Sequence, residues 1–227
     1  MSIFSHHSKR SSRGFTLIEM LVVMAIMVII SIVFLVRQNR FDSSTVLRSL
    51  AYSVALSVRQ AQVYGTSVLG TTTAAVNCTG GFYSTTQGSC YAAAYGLYFD
   101  SSTLTSYTLF ADLNNDGQYE SNEVIKVFQL GTGYSISDFG AVVVGGSVTR
   151  SLGLGTATNL TIVFKRPNPD ACIATNVAAN ACQSGAAPVE TYTQAYVRLQ
   201  ANGDPSNTKR VNILTTGEVD VCTTVGC

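Results

Sequence analysis

From Phe15 to Val36 the chain is apolar throughout, interrupted only by one acid, Glu19, and two hydroxyl residues, Thr16 and Ser31. At ~1.5 Å rise per residue, roughly twenty such residues span a hydrocarbon core about 30 Å thick, so the run predicts a transmembrane helix. A carboxylate near the start of that helix costs about 2.5–3.5 kcal/mol on insertion scales unless it finds a partner, which marks Glu19 as a functional position. The segment before the run carries Lys9, Arg10 and Arg13 and no acid. That asymmetry directs the amino terminus to the cytoplasmic side and the rest of the chain outward. A secretory signal peptide fits poorly, because the run is longer than an h-region and no small-residue cleavage site follows it.

The residues Lys9-Arg10-Ser11-Ser12-Arg13-Gly14-Phe15-Thr16-Leu17-Ile18-Glu19 closely resemble the class III signal of type IV pilins and type II secretion pseudopilins. The resemblance is strongest over residues 9–64. It implies that a prepilin peptidase cuts between Gly14 and Phe15, that the new amino group of Phe15 is methylated, and that Glu19 guides assembly. The partners it implies are other pilin or pseudopilin subunits, the peptidase, an inner-membrane assembly platform, and membrane lipid before assembly. The physics agrees. A cut after Gly14 creates a positive α-amine four residues from Glu19, and that amine, on the same or a neighbouring subunit, can neutralise a carboxylate in an apolar setting. An acid in the first turn also complements the positive end of the helix dipole. The bland alternative is a signal anchor with Glu19 at the headgroups, which explains neither the Gly-Phe junction nor the acid.

Beyond Val36 the pattern turns amphipathic. Phe41, Val46, Leu50, Val54, Leu56, Val58, Ala61 and Val63 recur near three- and four-residue spacing among Arg48, Arg59 and Gln60, as a one-sided helix requires. Asp42-Ser43-Ser44 could cap a separate helix, whereas the resemblance implies a single long one, about 75 Å for some fifty residues, ending near Gly65 as a C-terminal cap. The organisation read from this is a leader at 1–14, an assembly helix at 15–36, its amphipathic half at 37–65, and a β-rich head at 66–227. Strand candidates in the head are Tyr95–Asp100, Tyr107–Ala111, Val124–Gln129, Tyr134–Ser137, Ala141–Val144, Leu160–Lys165, Tyr192–Gln200, Arg210–Leu214 and Glu218–Cys222, with turn residues between them. The fold class is α+β: a long amino-terminal helix packed on an antiparallel sheet, the pilin fold. The helix end Val58-Arg59-Gln60-Ala61-Gln62-Val63-Tyr64-Gly65, the strand Ile162-Val163-Phe164-Lys165-Arg166-Pro167 and the closing hairpin resemble minor pseudopilins of the GspH/FimT type.

Only 12% of residues are charged. Of 14 basic residues, Lys9, Arg10 and Arg13 precede the cut, leaving 11 against 13 acidic ones in the mature chain. A net charge near −2 supplies no electrostatic drive toward nucleic acid. The two histidines, His6 and His7, both fall in the leader, so a mature Ser-His-Asp triad, Cys-His dyad or histidine zinc site is impossible. Enzymatic function has no support. Six cysteines beyond the apolar run argue for an oxidising compartment. Fifteen pairings are formally possible. Their clustering favours the sequential set Cys78–Cys90, Cys172–Cys182 and Cys222–Cys227, each closing a local loop.

The segment Asp112-Leu113-Asn114-Asn115-Asp116-Gly117-Gln118-Tyr119-Glu120-Ser121-Asn122-Glu123 matches the calcium-loop pattern D-x-[DN]-x-[DN]-G-x₅-E. Calcium takes six to eight oxygens at flexible distances. Asp112, Asn114 and Asp116 would supply side chains, Gln118 its carbonyl, Glu123 a bidentate carboxylate, and Glu120 a direct or water-mediated contact. The flanks read as strands, so the likeness is to the loop alone. A solvated Asn/Asp turn is the competing reading, although three acids in twelve residues repel one another without an ion. The function expected is that of a structural pilin or pseudopilin subunit of a minor kind. Its alternatives are a DNA-binding minor pilin, which the tail Val-Asp-Val-Cys-Thr-Thr-Val-Gly-Cys, without arginine or lysine, does not favour, and a membrane-anchored surface domain that does not assemble.

Overall fold

The computed structural model describes residues 14–67, 83–84, 89–90, 93–146, 149–183, 185, 187, 190–202 and 204–222. Residues 1–13 of the leader and the cysteines Cys78 and Cys227 lie outside these residues. One helix, α1, covers Leu17–Thr66, with its residues up to Ser43 in one compact unit and those from Ser44 onward in a second, the head.

In the first unit every described side chain from Leu17 to Leu35 is exposed, and this stretch is long and apolar enough to cross a membrane. Thr16 starts the helix: its hydroxyl accepts the Glu19 N–H at 3.3 Å, which satisfies one of the amide donors a helix start leaves open. Ser31 donates to the Met27 carbonyl at 2.7 Å, so its hydroxyl does not oppose the apolar surroundings.

In the head, α1 buries the stripe Leu47, Ala51, Val54, Val58 and Ala61. This is narrower than the apolar set legible in the sequence, since Val46, Leu56 and Val63 face outward. The chain continues through β1 (Tyr83–Ser84), β2 (Ser89–Cys90), β3 (Ala94–Asp100), β4 (Ser106–Asp112), β5 (Val124–Gln129), β6 (Tyr134–Val143), β7 (Thr149–Ser151), β8 (Asn159–Phe164), β9 (Ala171–Thr175), β10 (Tyr192–Ala201), β11 (Asp204–Leu214) and β12 (Val219–Cys222). These form not one sheet but two antiparallel five-stranded sheets, ordered β12-β11-β10-β6-β7 and β5-β4-β3-β8-β9, beside the small β1-β2 pair. The helix stripe, Leu97, Phe99 and Ile162 of one sheet, and Phe139, Val197 and Ile213 of the other all belong to one core cluster. The α+β class holds, with the helix serving two sheets at once.

Several boundaries shift. Tyr134–Ser137 and Ala141–Val144 are one strand, β6, because Asp138 to Gly140 stay in register with Arg198 to Tyr196 of β10. The short strands β7 and β9 were not anticipated, since three and five residues rich in small and polar side chains carry no clear alternation. Gly65 is not a cap beyond the helix. It lies inside α1, where a Cβ would run into the Phe164 carbonyl of β8, so glycine permits the close approach of helix and sheet. The segment around it is a set of anchors. Arg59 donates to the Gly217 carbonyl at 3.1 Å and Gln62 to the Pro169 carbonyl at 2.9 Å, while the buried hydroxyls of Ser57 and Tyr107 share a hydrogen bond of 2.9 Å.

Candidate functional site

The loop from Asp112 to Glu123 leaves the end of β4 and returns, through one 3-10 turn at Ser121–Glu123, to the start of β5. It folds around its two terminal acids. Asp112, fully buried, accepts the N–H of Asp116 at 3.1 Å and of Gly117 at 2.9 Å. Glu123, 1% exposed, accepts the N–H of Leu113 at 2.8 Å and of Glu120 at 3.1 Å. Asn114 and Asp116 bend the chain by accepting the N–H two residues ahead, at 3.1 and 2.8 Å. Asn115 and Gly117 occupy the left-handed region at φ 61° and 76°, and Gly117 lies so close to Cys182 that a Cβ would strike its backbone and side chain.

Burial sets the electrostatics. It pushes the Asp112 carboxyl above its ordinary value against the lowering pull of Lys165, whose Nζ lies 3.9 Å from Oδ2. Burial likewise pushes Glu123 up to about 7, partly offset by the Leu113 N–H. Lys165 is held down by its own burial, and it donates to the Cys182 carbonyl at 2.6 Å. Cys182 is bonded to Cys172 of β9. Tyr119 fastens the loop to the outer face of its sheet, stacked on Tyr98 at 4.3 Å between centroids and edge-on to Phe110 at 5.6 Å. Among the described residues no three His, Cys, Asp or Glu side chains are gathered to hold a metal. The loop thus gathers Asp112, Glu123 and the backbone turn, with the Asp116 N–H on Asp112, without forming a metal-holding group of acids. The donor set is all oxygen, which suits a hard cation such as calcium.

At the amino terminus, Gly14 and Phe15 precede α1 and are exposed, Phe15 by 77%, with Glu19 exposed in the first helical turn. Residues 9–35 match the family model of the prokaryotic N-terminal methylation motif. The chain carries a prepilin motif. No curated protein and no solved structure matches the chain. The prepilin motif covers the apolar stretch and leaves the head to be read from its own geometry.

Of the three cysteine pairs expected, Cys172–Cys182 is formed. Cys222 is disulfide-bonded, but Cys227 lies outside the described residues, as does Cys78. Reading the sequence missed the Thr16 cap, Lys165 and Tyr119. The first was legible as Thr three residues before Glu19, a helix-start pattern. Lys165 was not, because it lies 53 positions from Asp112 and meets it only through strand pairing.

Proposed function

We propose that this chain is a structural pilin or pseudopilin subunit of a minor kind, cut between Gly14 and Phe15, methylated at Phe15, and assembled into an extracytoplasmic filament through α1. The observation that carries this reading is the stretch Leu17–Leu35, apolar and wholly uncovered behind a prepilin motif, with its single acid in the first turn. Such a surface needs lipid or the same surface of neighbouring helices, and an acid there needs a neighbour's amine. The GspH/FimT type rests on the resemblance of sequence at the helix end, the segment 162–167 and the closing hairpin. Here Arg59 and Gln62 of that helix end donate to the Gly217 carbonyl.

Amino-terminal sequencing of the protein from cells with an active prepilin peptidase should begin at Phe15. Glu19→Val should be inserted and cleaved but poorly incorporated into filaments beside wild-type subunits. A chain intact from Met1 in those cells overturns the reading.

The head carries a calcium loop in the same proposal, supported by the twelve-residue pattern, whose two terminal acids, Asp112 and Glu123, are both buried. Calcium here is structural, with an expected dissociation constant of ~10⁻⁴–10⁻³ M, as in many extracellular modules. A ligand selective for the folded state adds about 2.7 kcal/mol at a hundredfold excess over its dissociation constant. Thermal melting of the full-length protein in detergent, with millimolar calcium or with chelator, tests it. Identical midpoints would refute the site.

A further inference from the structure

On the outer face of the sheet β5-β4-β3-β8-β9, strand register lines up Val127, Thr108, Tyr98, Thr161 and Ala174 in one row across all five strands. Residues directly opposite in antiparallel pairs share a face, and this row carries no charge. Over its β3-β8-β9 part lies a cleft. Tyr98, Thr161 and Ala174 are its floor, with Asn159 of β8 beside them. Two loops supply its rim: Gln118 and Tyr119 after β4, and Ala179 of the 3-10 turn Ala179–Cys182. Counting its open mouth, the cleft holds about 310 Å³, the lower end of the range for small-ligand sites. Its parts are fixed. Cys182 packs against Gly117, which holds the two rim loops to each other, and its bond to Cys172 ties them to β9. Tyr98 is stacked with Tyr119 at 4.3 Å between centroids and donates its hydroxyl to Asp100 at 3.3 Å.

We propose that this cleft binds one neutral saccharide unit, presented at the end of a glycan. No side chain lining it is charged at neutral pH. A phosphate, carboxylate or ammonium entering it would lose water and gain no partner of opposite charge. The surface it exposes is more polar than apolar, which a lipid chain would leave unsatisfied. A neutral ligand rich in hydrogen-bonding groups suits both conditions. Hydroxyls and carboxamides each donate and accept, as sugar hydroxyls do, and Thr161, Asn159 and Gln118 bring such groups to the cleft. The two tyrosines add rigid ring surface for the C–H side of a pyranose, with polar tips at its edge. An open mouth lets the remainder of the glycan stay in solvent. Contact with one sugar unit is small, so the dissociation constant expected is on the order of 1 mM.

The probes are the methyl glycosides of galactose, glucose, mannose and N-acetylglucosamine, whose blocked anomeric oxygen stands for the linkage of a glycan end. The methyl glycoside of sialic acid is the charged control. Full-length protein is kept in a detergent without a sugar headgroup, and binding is read by saturation-transfer NMR. At least one neutral glycoside should receive saturation from the protein and titrate near the millimolar range, while the sialoside should not. Ala179→Leu places a longer side chain in the cleft and should weaken that glycoside about tenfold or more. Gln118→Ala removes an exposed carboxamide and should weaken it about threefold or more, with the melting midpoint of wild type. If Ala179→Leu does not fold, Gln118→Ala decides. No saturation of any neutral glycoside, preference for the sialoside, or wild-type affinity in the folded variants overturns the inference.

Discussion

A single methyl group at position 117 would meet the backbone and side chain of Cys182, at a φ of 76° that side-chain-bearing residues rarely adopt. A non-glycine residue in that region costs about 1–3 kcal/mol, before any collision is counted. Gly117→Ala should therefore lower the melting midpoint, at about 2–4 °C per kcal/mol for a domain of this size. Its response to calcium should shrink at the same time, because Gly117 also donates the N–H that orients Asp112. Melting with calcium and with chelator measures both. A full calcium response in Gly117→Ala would mean that the ion does not need this turn.

The head half of α1 makes its case through one narrow stripe. Leu47 is fully buried in the cluster shared by both sheets, whereas Leu56, nine residues on, is 68% exposed. Leu47→Ala should cost about 2–5 kcal/mol, the range for a buried leucine that leaves a cavity. Leu56→Ala should change stability by no more than about 0.5 kcal/mol. Denaturant unfolding of the two variants checks the contrast. Equal losses would place Leu56 in the core as well. The exposed apolar residues Val46, Leu56 and Val63 are not demanded by folding of the head.

For the molecule as a whole, the uncovered stretch Leu17–Leu35 dictates partitioning. The precursor should remain with the membrane fraction through high-salt and alkaline washes and leave it only in detergent, as a spanning apolar helix requires. Release by salt alone, followed by immunoblotting of the supernatant, would mean that the helix does not anchor the chain. The long apolar helix and the prepilin motif were legible because each is written in adjacent residues. A run of apolar side chains and a Gly-Phe junction need no knowledge of what lies across the fold.

What the sequence by itself determined is thus local: an apolar helix with its acid at Glu19, an amphipathic continuation, alternating strands, and clustered cysteines. Tertiary structure decided the rest. Strand pairing divided the head into two sheets, because each β-strand shows its face but not which neighbour it will take. Helix packing chose Leu47, Ala51, Val54, Val58 and Ala61 from a wider apolar set, since periodicity cannot say how broad a groove the sheets leave. Gly65 became a point of contact with Phe164 rather than a helix end for the same reason. Most consequentially, the pairing of β3 with both β4 and β8 carried Lys165 to Asp112. The electrostatic state of the loop depends on that distant charge, and electrostatics follows distance in space, which no spacing along the chain records.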